Sequence, residues 1–98
     1  MTYTVIIRPE AESDLADAYD WYQRQREGLG HEYLLCVEAA LEAISRSPLQ
    51  YATVHGEVRR ALVRRFPYGV FYLIEGTTVV VTAVFHCRRD PSGWRDRG

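Results

Sequence analysis

The apolar positions of this chain fall into a short β-branched run, two stripes at helical spacing and three further β-rich runs. Tyr3 to Arg8 is β-branched, too short for a helix and stopped by Pro9, so it predicts a strand. From Glu10 to about Arg26, apolar residues recur at Ala11, Leu15, Ala18, Tyr19 and Tyr22, and acids crowd the start, where they complement a helix dipole. Gly28-Leu29-Gly30 breaks that helix. A second runs from about His31 to Arg46 with Leu34, Val37, Leu41 and Ile44 on one face, and Pro48 closes it. So short a link makes the pair an antiparallel hairpin.

Val58 to Arg65, Gly69 to Glu75 and Thr78 to Cys87 then read as strands, joined by Phe66-Pro67-Tyr68 and by a tight turn at Glu75-Gly76-Thr77. The implied fold is α+β: a helical hairpin packed on one face of a small, mainly antiparallel sheet, in the order β-α-α-β-β-β. The first strand joins the meander at an edge the sequence does not fix. A short helix or irregular tail follows Pro91, with Trp94 as its bulky residue. Helices cover one sheet face and leave the other open.

A length of 98 residues bounds this to one domain, residues 1–98. No basic leader precedes the first apolar run and no run approaches spanning length, which predicts a soluble, cytoplasmic protein without membrane contact. Cys36 and Cys87 read as buried, reduced thiols, since there is no secretory signal to support a disulfide framework. His31, His55, His86 and the cysteines show no metal-ligand spacing, and nothing in the sequence calls for a cofactor.

Charge changes the picture more. The net formal charge is −1, yet up to Val58 acids outnumber arginines ten to four, and from Arg59 onward arginines outnumber acids eight to three. The molecule has an acidic half and a basic half, which bears on its choice of partner. Lysine is absent, so every fixed cation is a guanidinium, suited to bidentate or stacked contacts and unable to act as a base near neutrality.

The cations concentrate at strand ends, in Arg64-Arg65-Phe66-Pro67-Tyr68 and in His86-Cys87-Arg88-Arg89-Asp90-Pro91 with Trp94 and Arg95. Such a cluster suits a macromolecular partner better than a small-molecule pocket. Arg59, Arg60 and Arg64 also read as solvated edge-strand charges. Asp90 can pair with one of Arg88 and Arg89 and cap the tail, leaving the other for a partner. Trp94 either plugs the end of the sandwich or stacks on a partner. His86 is the residue of the cluster to which acid–base chemistry would fall. Trp21 lies beside the core face of its helix, placed for a protein contact.

Arg65-Phe66-Pro67-Tyr68 with Val70-Phe71-Tyr72, and Ala83-Val84-Phe85-His86 with Arg88-Arg89-Asp90-Pro91 and Trp94, resemble the RelE/ParE superfamily of bacterial type II toxins. Pro9-Glu10-Ala11 with Asp14-Leu15 is similar to that superfamily's first helix, so the likeness spans nearly the whole chain. The resemblance implies a toxin neutralised by a cognate antitoxin, in a complex that can be a heterotetramer. It also implies one of two activities: RelE-like cleavage of mRNA in the ribosome, or ParE-like inhibition of DNA gyrase without hydrolysis.

RelE-like enzymes carry lysines on the open sheet face and an arginine before the Val-Phe-Tyr run, where this chain has no lysine and has Gly69. Arg88 falls where their catalytic arginine would, and Trp94 where a stacking tyrosine would. The Phe66-Pro67-Tyr68 corner and the His86-to-Pro91 ending are similar to ParE. The resemblance thus favours a gyrase inhibitor that binds its target through Arg65, Arg88, Arg89, Trp94 and Arg95, with no catalytic residue. A ribonuclease would use Arg65, His86, Arg88 and Trp94, with ribosome and mRNA as partners. A non-toxic remnant that still binds antitoxin is the third reading.

Overall fold

The computed structural model describes residues 2–87. In chain order it has β1 (Thr4–Ile7), α1 (Pro9–Gln25), α2 (Leu29–Arg46), a short 3-10 turn (Pro48–Gln50), β2 (Thr53–His55), β3 (Val58–Leu62), β4 (Tyr68–Glu75) and β5 (Thr78–His86). The strands form one five-stranded sheet ordered β1-β5-β4-β3-β2, all neighbours antiparallel except β1, which runs parallel to β5 from Thr4 opposite Thr78 to Ile7 opposite Val81. Two helices against a mixed sheet bear out the α+β architecture. The open question of the first strand's edge is answered by β5.

One strand was not foreseen. β2 has only three residues, pairs irregularly with β3 and turns back at Gly56, whose φ of 56° suits a glycine. So short a segment carries no period to read. The β3 run also stops at Leu62 instead of continuing to Arg65, because Arg65 takes a left-handed backbone with φ 71°.

α2 begins at Leu29, ahead of the expected His31. Its first N–H groups need acceptors, and the Gln23 side chain of α1 supplies one: Oε1 accepts from the N–H of Gly28 at 3.2 Å and of Gly30 at 2.9 Å. Gly30 is therefore inside a helix for a packing reason. A Cβ there would lie 2.6 Å from the Tyr19 carbonyl oxygen, so glycine sets the approach of the two helices.

Between hairpin and sheet lies the main core. Tyr33, Val37 and Ile44 of α2 and Ala11 and Ala18 of α1 pack on Ala61, Val70, Tyr72, Val79, Val81 and Val84. At one end the rings of Tyr22, Tyr33, Phe66 and Tyr68 meet, with centroids 4.9 to 6.1 Å apart. The Tyr72 hydroxyl donates to the Pro48 carbonyl at 2.6 Å, tying the 3-10 turn to the sheet.

A bulge in β5 divides the two faces. Tyr72 pairs with Val81 but Phe71 pairs with Ala83, so Thr82 is an extra residue. Val79 and Val81 face the helices before it; after it Val84 does, while Ala83 and Phe85 turn to the opposite side with Val58, Phe71 and Leu73. The Thr82 hydroxyl lies 3.4 Å from the Phe71 carbonyl that the irregularity displaces.

Candidate functional site

Among the described residues, Arg59, Arg60 and Arg65, close in sequence, separate in space. Arg59, on the helix side of β3, donates to the carbonyls of Leu49 and Tyr51 and so braces the 3-10 turn. Arg65 turns toward the hairpin, where its guanidinium meets Glu32 at 2.9 Å; Arg26 reaches the same carboxylate at 3.1 Å. The two guanidiniums, Arg65 first, hold the Glu32 carboxyl below its ordinary pKa. Arg65 also lies 5.8 Å from the Phe66 ring centroid, so the corner that follows β3 is clamped to the start of α2.

Of Arg59, Arg60 and Arg65, Arg60 belongs to the face away from the helices. Its stem fills the space above Gly69, where a Cβ would sit 3.0 Å from its Cγ and Cδ and 3.5 Å from the Phe71 ring. Gly69 thus lets Arg60 and Phe71 pack across two strands. Leu62, opposite Gly69, is 60% exposed on the same face, and Ile6 at the β1 edge is 51% exposed. Phe71 and Ala83 are buried between them. Among the described residues the result is an apolar surface that carries the Arg60 guanidinium, a composition suited to protein contact. Arg60, which the sequence reads as a solvated edge-strand charge, has its stem packed over Gly69, and that glycine across from its strand neighbour Leu62 is the sequence signal of this packing.

His86 sits on the other side. It pairs with Tyr68 in the ladder, and the two rings lie 5.3 Å apart, beside the aromatic end of the core. Without the bulge at Thr82 it would face the same way as Arg60. Cys87 is exposed, which corrects the expectation of a buried thiol: β5 ends at His86 and Cys87 lies in the turn after it, its N–H donating to the Pro67 carbonyl. Cys36 is half-buried. Arg88, Arg89, Trp94 and Arg95, like the expected tail helix, lie outside the described residues. Among the described residues no group of three or more His, Cys, Asp or Glu could hold a metal ion, and no helix is long and apolar enough to cross a membrane.

Two grooves flank α1. One, of about 420 Å³, lies along the outer side of the hairpin and is lined mainly by Leu15, Ala16, Tyr19 and Leu34 with His31. The other, of about 400 Å³, lies between α1 and the end of β5 and is lined by carboxylates and aromatic rings. Trp21, expected beside the core face, is 50% exposed at this second groove with its ring edge-to-face on Tyr22.

Comparison with known proteins gives a consistent picture. The family model described as the ParE toxin of the type II toxin–antitoxin system parDE matches residues 5–91. No curated protein sequence matches. Among solved structures, a chain of the chromosomal ParDE toxin–antitoxin system from P. aeruginosa superposes with a TM-score of 0.77 at 15% identity, covering 87% of this chain and 96% of that one. A chain of the RelBE2 toxin–antitoxin complex from Mycobacterium tuberculosis superposes with a TM-score of 0.62 at 26% identity, covering 88% and 99%.

Proposed function

This chain belongs to the ParE toxin family of type II toxin–antitoxin systems, and on that premise we propose that it inhibits a type II topoisomerase, DNA gyrase, by protein contact and is neutralised by a cognate antitoxin. The observation that carries this reading is the separation, among the described residues, of Arg59, Arg60, Arg65 and His86. In-line attack of a 2′-hydroxyl needs a base, or a set of cations converging on one phosphate. Here Arg59 and Arg65 are turned to backbone carbonyls and to Glu32. His86 meets the Tyr68 ring edge-to-face on the helix side, and Arg60 stands on the opposite face among apolar side chains.

Arg60, Leu62 and Ile6 supply the target-facing surface, and the segment from Arg88 to Arg97 makes further contacts with the target. The antitoxin takes the hairpin side, where the apolar groove beside Leu15, Tyr19 and Leu34 suits one face of an amphipathic helix. The RelBE2 structure is itself a toxin–antitoxin complex, which supports such a partner.

A supercoiling assay with purified gyrase is the direct test. The protein is expected to inhibit supercoiling, and unimpaired supercoiling at molar excess removes the gyrase reading. In the same reading, toeprinting on translating ribosomes shows no cut sites that depend on the protein.

A further inference from the structure

The face away from the hairpin is closed in its middle and open at its rim. The Phe71 ring is 1% exposed, and Val58 and Ala83 beside it are buried, although among the described residues no helix lies over this face. Side chains stand roughly perpendicular to a sheet, so strand neighbours shield the flanks of a ring and leave its outer edge to water. Ala83 is short enough to be hidden by taller neighbours, and Phe71 is not. Leu62 and Ile6, on the same face, are more than half exposed, so the cover over Phe71 is narrow.

This burial belongs to a single chain, so the covering group comes from the chain itself. The hairpin packs on the other face, and β2 and β3 lie within the sheet. Two stretches lie outside the described residues, Met1 and 88–98. Met1 leads into β1, where Thr4 is opposite Thr78, whereas Ala83 and Phe71 lie toward the other end of β5. The second stretch starts at that end. Cys87, its N–H donating to the Pro67 carbonyl, is about 13 Å along the strand from Ala83. The seven residues from Cys87 to Trp94 reach up to about 23 Å, enough to turn back over Ala83. Pro91-Ser92-Gly93 suits such a reversal, and Trp94 after it is the one large apolar side chain in the stretch.

We propose that residues 88–98 fold back across the face away from the hairpin, with the Trp94 indole seated over Phe71 and Ala83, and that this anchor sets Arg95 and Arg97 beside Arg60. An indole against a phenyl ring removes both from water and adds an aromatic contact, which matches a cover one chain wide. Trp94 is on this account a positioning residue: it fixes two guanidiniums in the surface that also carries Leu62. The docking of the segment stands independently of the target, whereas the use of Arg95 and Arg97 rests on the gyrase reading and sharpens it.

Nuclear Overhauser measurements on the isotope-labelled full chain test the docking. With Trp21→Phe leaving Trp94 as the one indole, cross-peaks are expected from the indole to the Ala83 methyl and Phe71 ring protons. Trp94→Ala is expected to shift the Phe71 and Ala83 amide signals and to leave those of Tyr33 and Ile44, on the hairpin side, in place. Missing cross-peaks overturn the proposal. So do cross-peaks found only between labelled and unlabelled chains of a mixed sample, which would make the cover a second copy.

Supercoiling by purified gyrase tests the positioning. The Arg95→Gln, Arg97→Gln double variant and Trp94→Ala are each expected to inhibit about tenfold more weakly than the native chain, and Trp94→Phe, which keeps a ring, to recover most of the loss. Inhibition by the native chain that the double variant leaves unchanged overturns the role of the two arginines, whether or not Trp94→Ala folds. Cross-peaks in a native chain that leaves supercoiling unimpaired remove the gyrase reading and keep the docked segment.

Discussion

On the hairpin side of the sheet, Val70, Tyr72, Val79 and Val81 are enclosed by α1 and α2, and aromatic rings close one end. On the far side Val58, Phe71 and Ala83 are buried as well, but they lie among Leu62 and Ile6, which are more than half exposed, and the half-buried Arg60. Both faces come from the same strands, and among the described residues helices lie over the hairpin side alone. The covered face supplies cooperativity and stability, because each of its side chains is surrounded. The far face can carry a functional surface at its exposed rim, because substitutions at Leu62 and Ile6 disturb little else.

Removing a side chain from the enclosed face should therefore cost the most. Ile44→Ala, at a fully buried position on α2, is expected to lose about 2–5 kcal/mol in urea unfolding. A loss no larger than that of a rim substitution such as Leu62→Ser would break the contrast between the faces.

A sharper comparison uses one chemical change on both sides. An alanine Cβ at Gly30 meets the Tyr19 carbonyl oxygen at 2.6 Å, a backbone atom that moves only if the helices separate. Gly30→Ala should cost about 1–3 kcal/mol, despite alanine's better helix propensity. At Gly69 the same Cβ meets the Arg60 stem at 3.0 Å, and that stem can swing toward solvent. Gly69→Ala should cost under about 1 kcal/mol. Denaturant midpoints of the two variants, measured together, check the order; equal losses would mean that Arg60 is as fixed as backbone.

These contrasts also show what could be read in advance. The hairpin and the three main strands were legible because helical spacing in Leu34, Val37, Leu41 and Ile44, and β-rich runs bounded by turns, are local signals. The bulge was not, because every residue from Val79 to Phe85 except Thr82 is apolar, and a strand buried on both faces has no alternation for an extra residue to interrupt. That single residue decides which face His86 occupies, so the candidate site was harder to read than the fold. The ion pair of Arg65 with Glu32 crosses 33 positions of sequence and depends on the positive φ at Arg65, which no composition signal announces in a non-glycine residue.

Alkaline titration probes the covered face alone. Burial pushes the Tyr72 hydroxyl up to about 12 from 10.0, and burial raises Tyr33 as well. A folded pKa above the unfolded one means that this stability is complete below about pH 10 and is lost as pH rises toward 12. The thermal midpoint should fall across that window. Tyr72→Phe, which strands the Pro48 carbonyl, should cost about 1 kcal/mol at neutral pH and show a shallower alkaline decline. An identical alkaline profile would place the titrating group elsewhere.

The smallest stability effect carries the most functional information. Leu62→Ser alters a rim residue that is 60% exposed, so its unfolding free energy should stay within about 0.5 kcal/mol of the native chain. If the face away from the hairpin is the target-binding surface, gyrase inhibition should nevertheless weaken, because an apolar contact at an interface is lost where no fold contact is. Antitoxin affinity should not change, since the hairpin grooves lie on the opposite face. Paired supercoiling and affinity measurements on this one variant separate the two faces. Full inhibition with intact folding would move the target surface away from Leu62, and a joint loss of both interactions would show that the two partners compete for one side of the sheet.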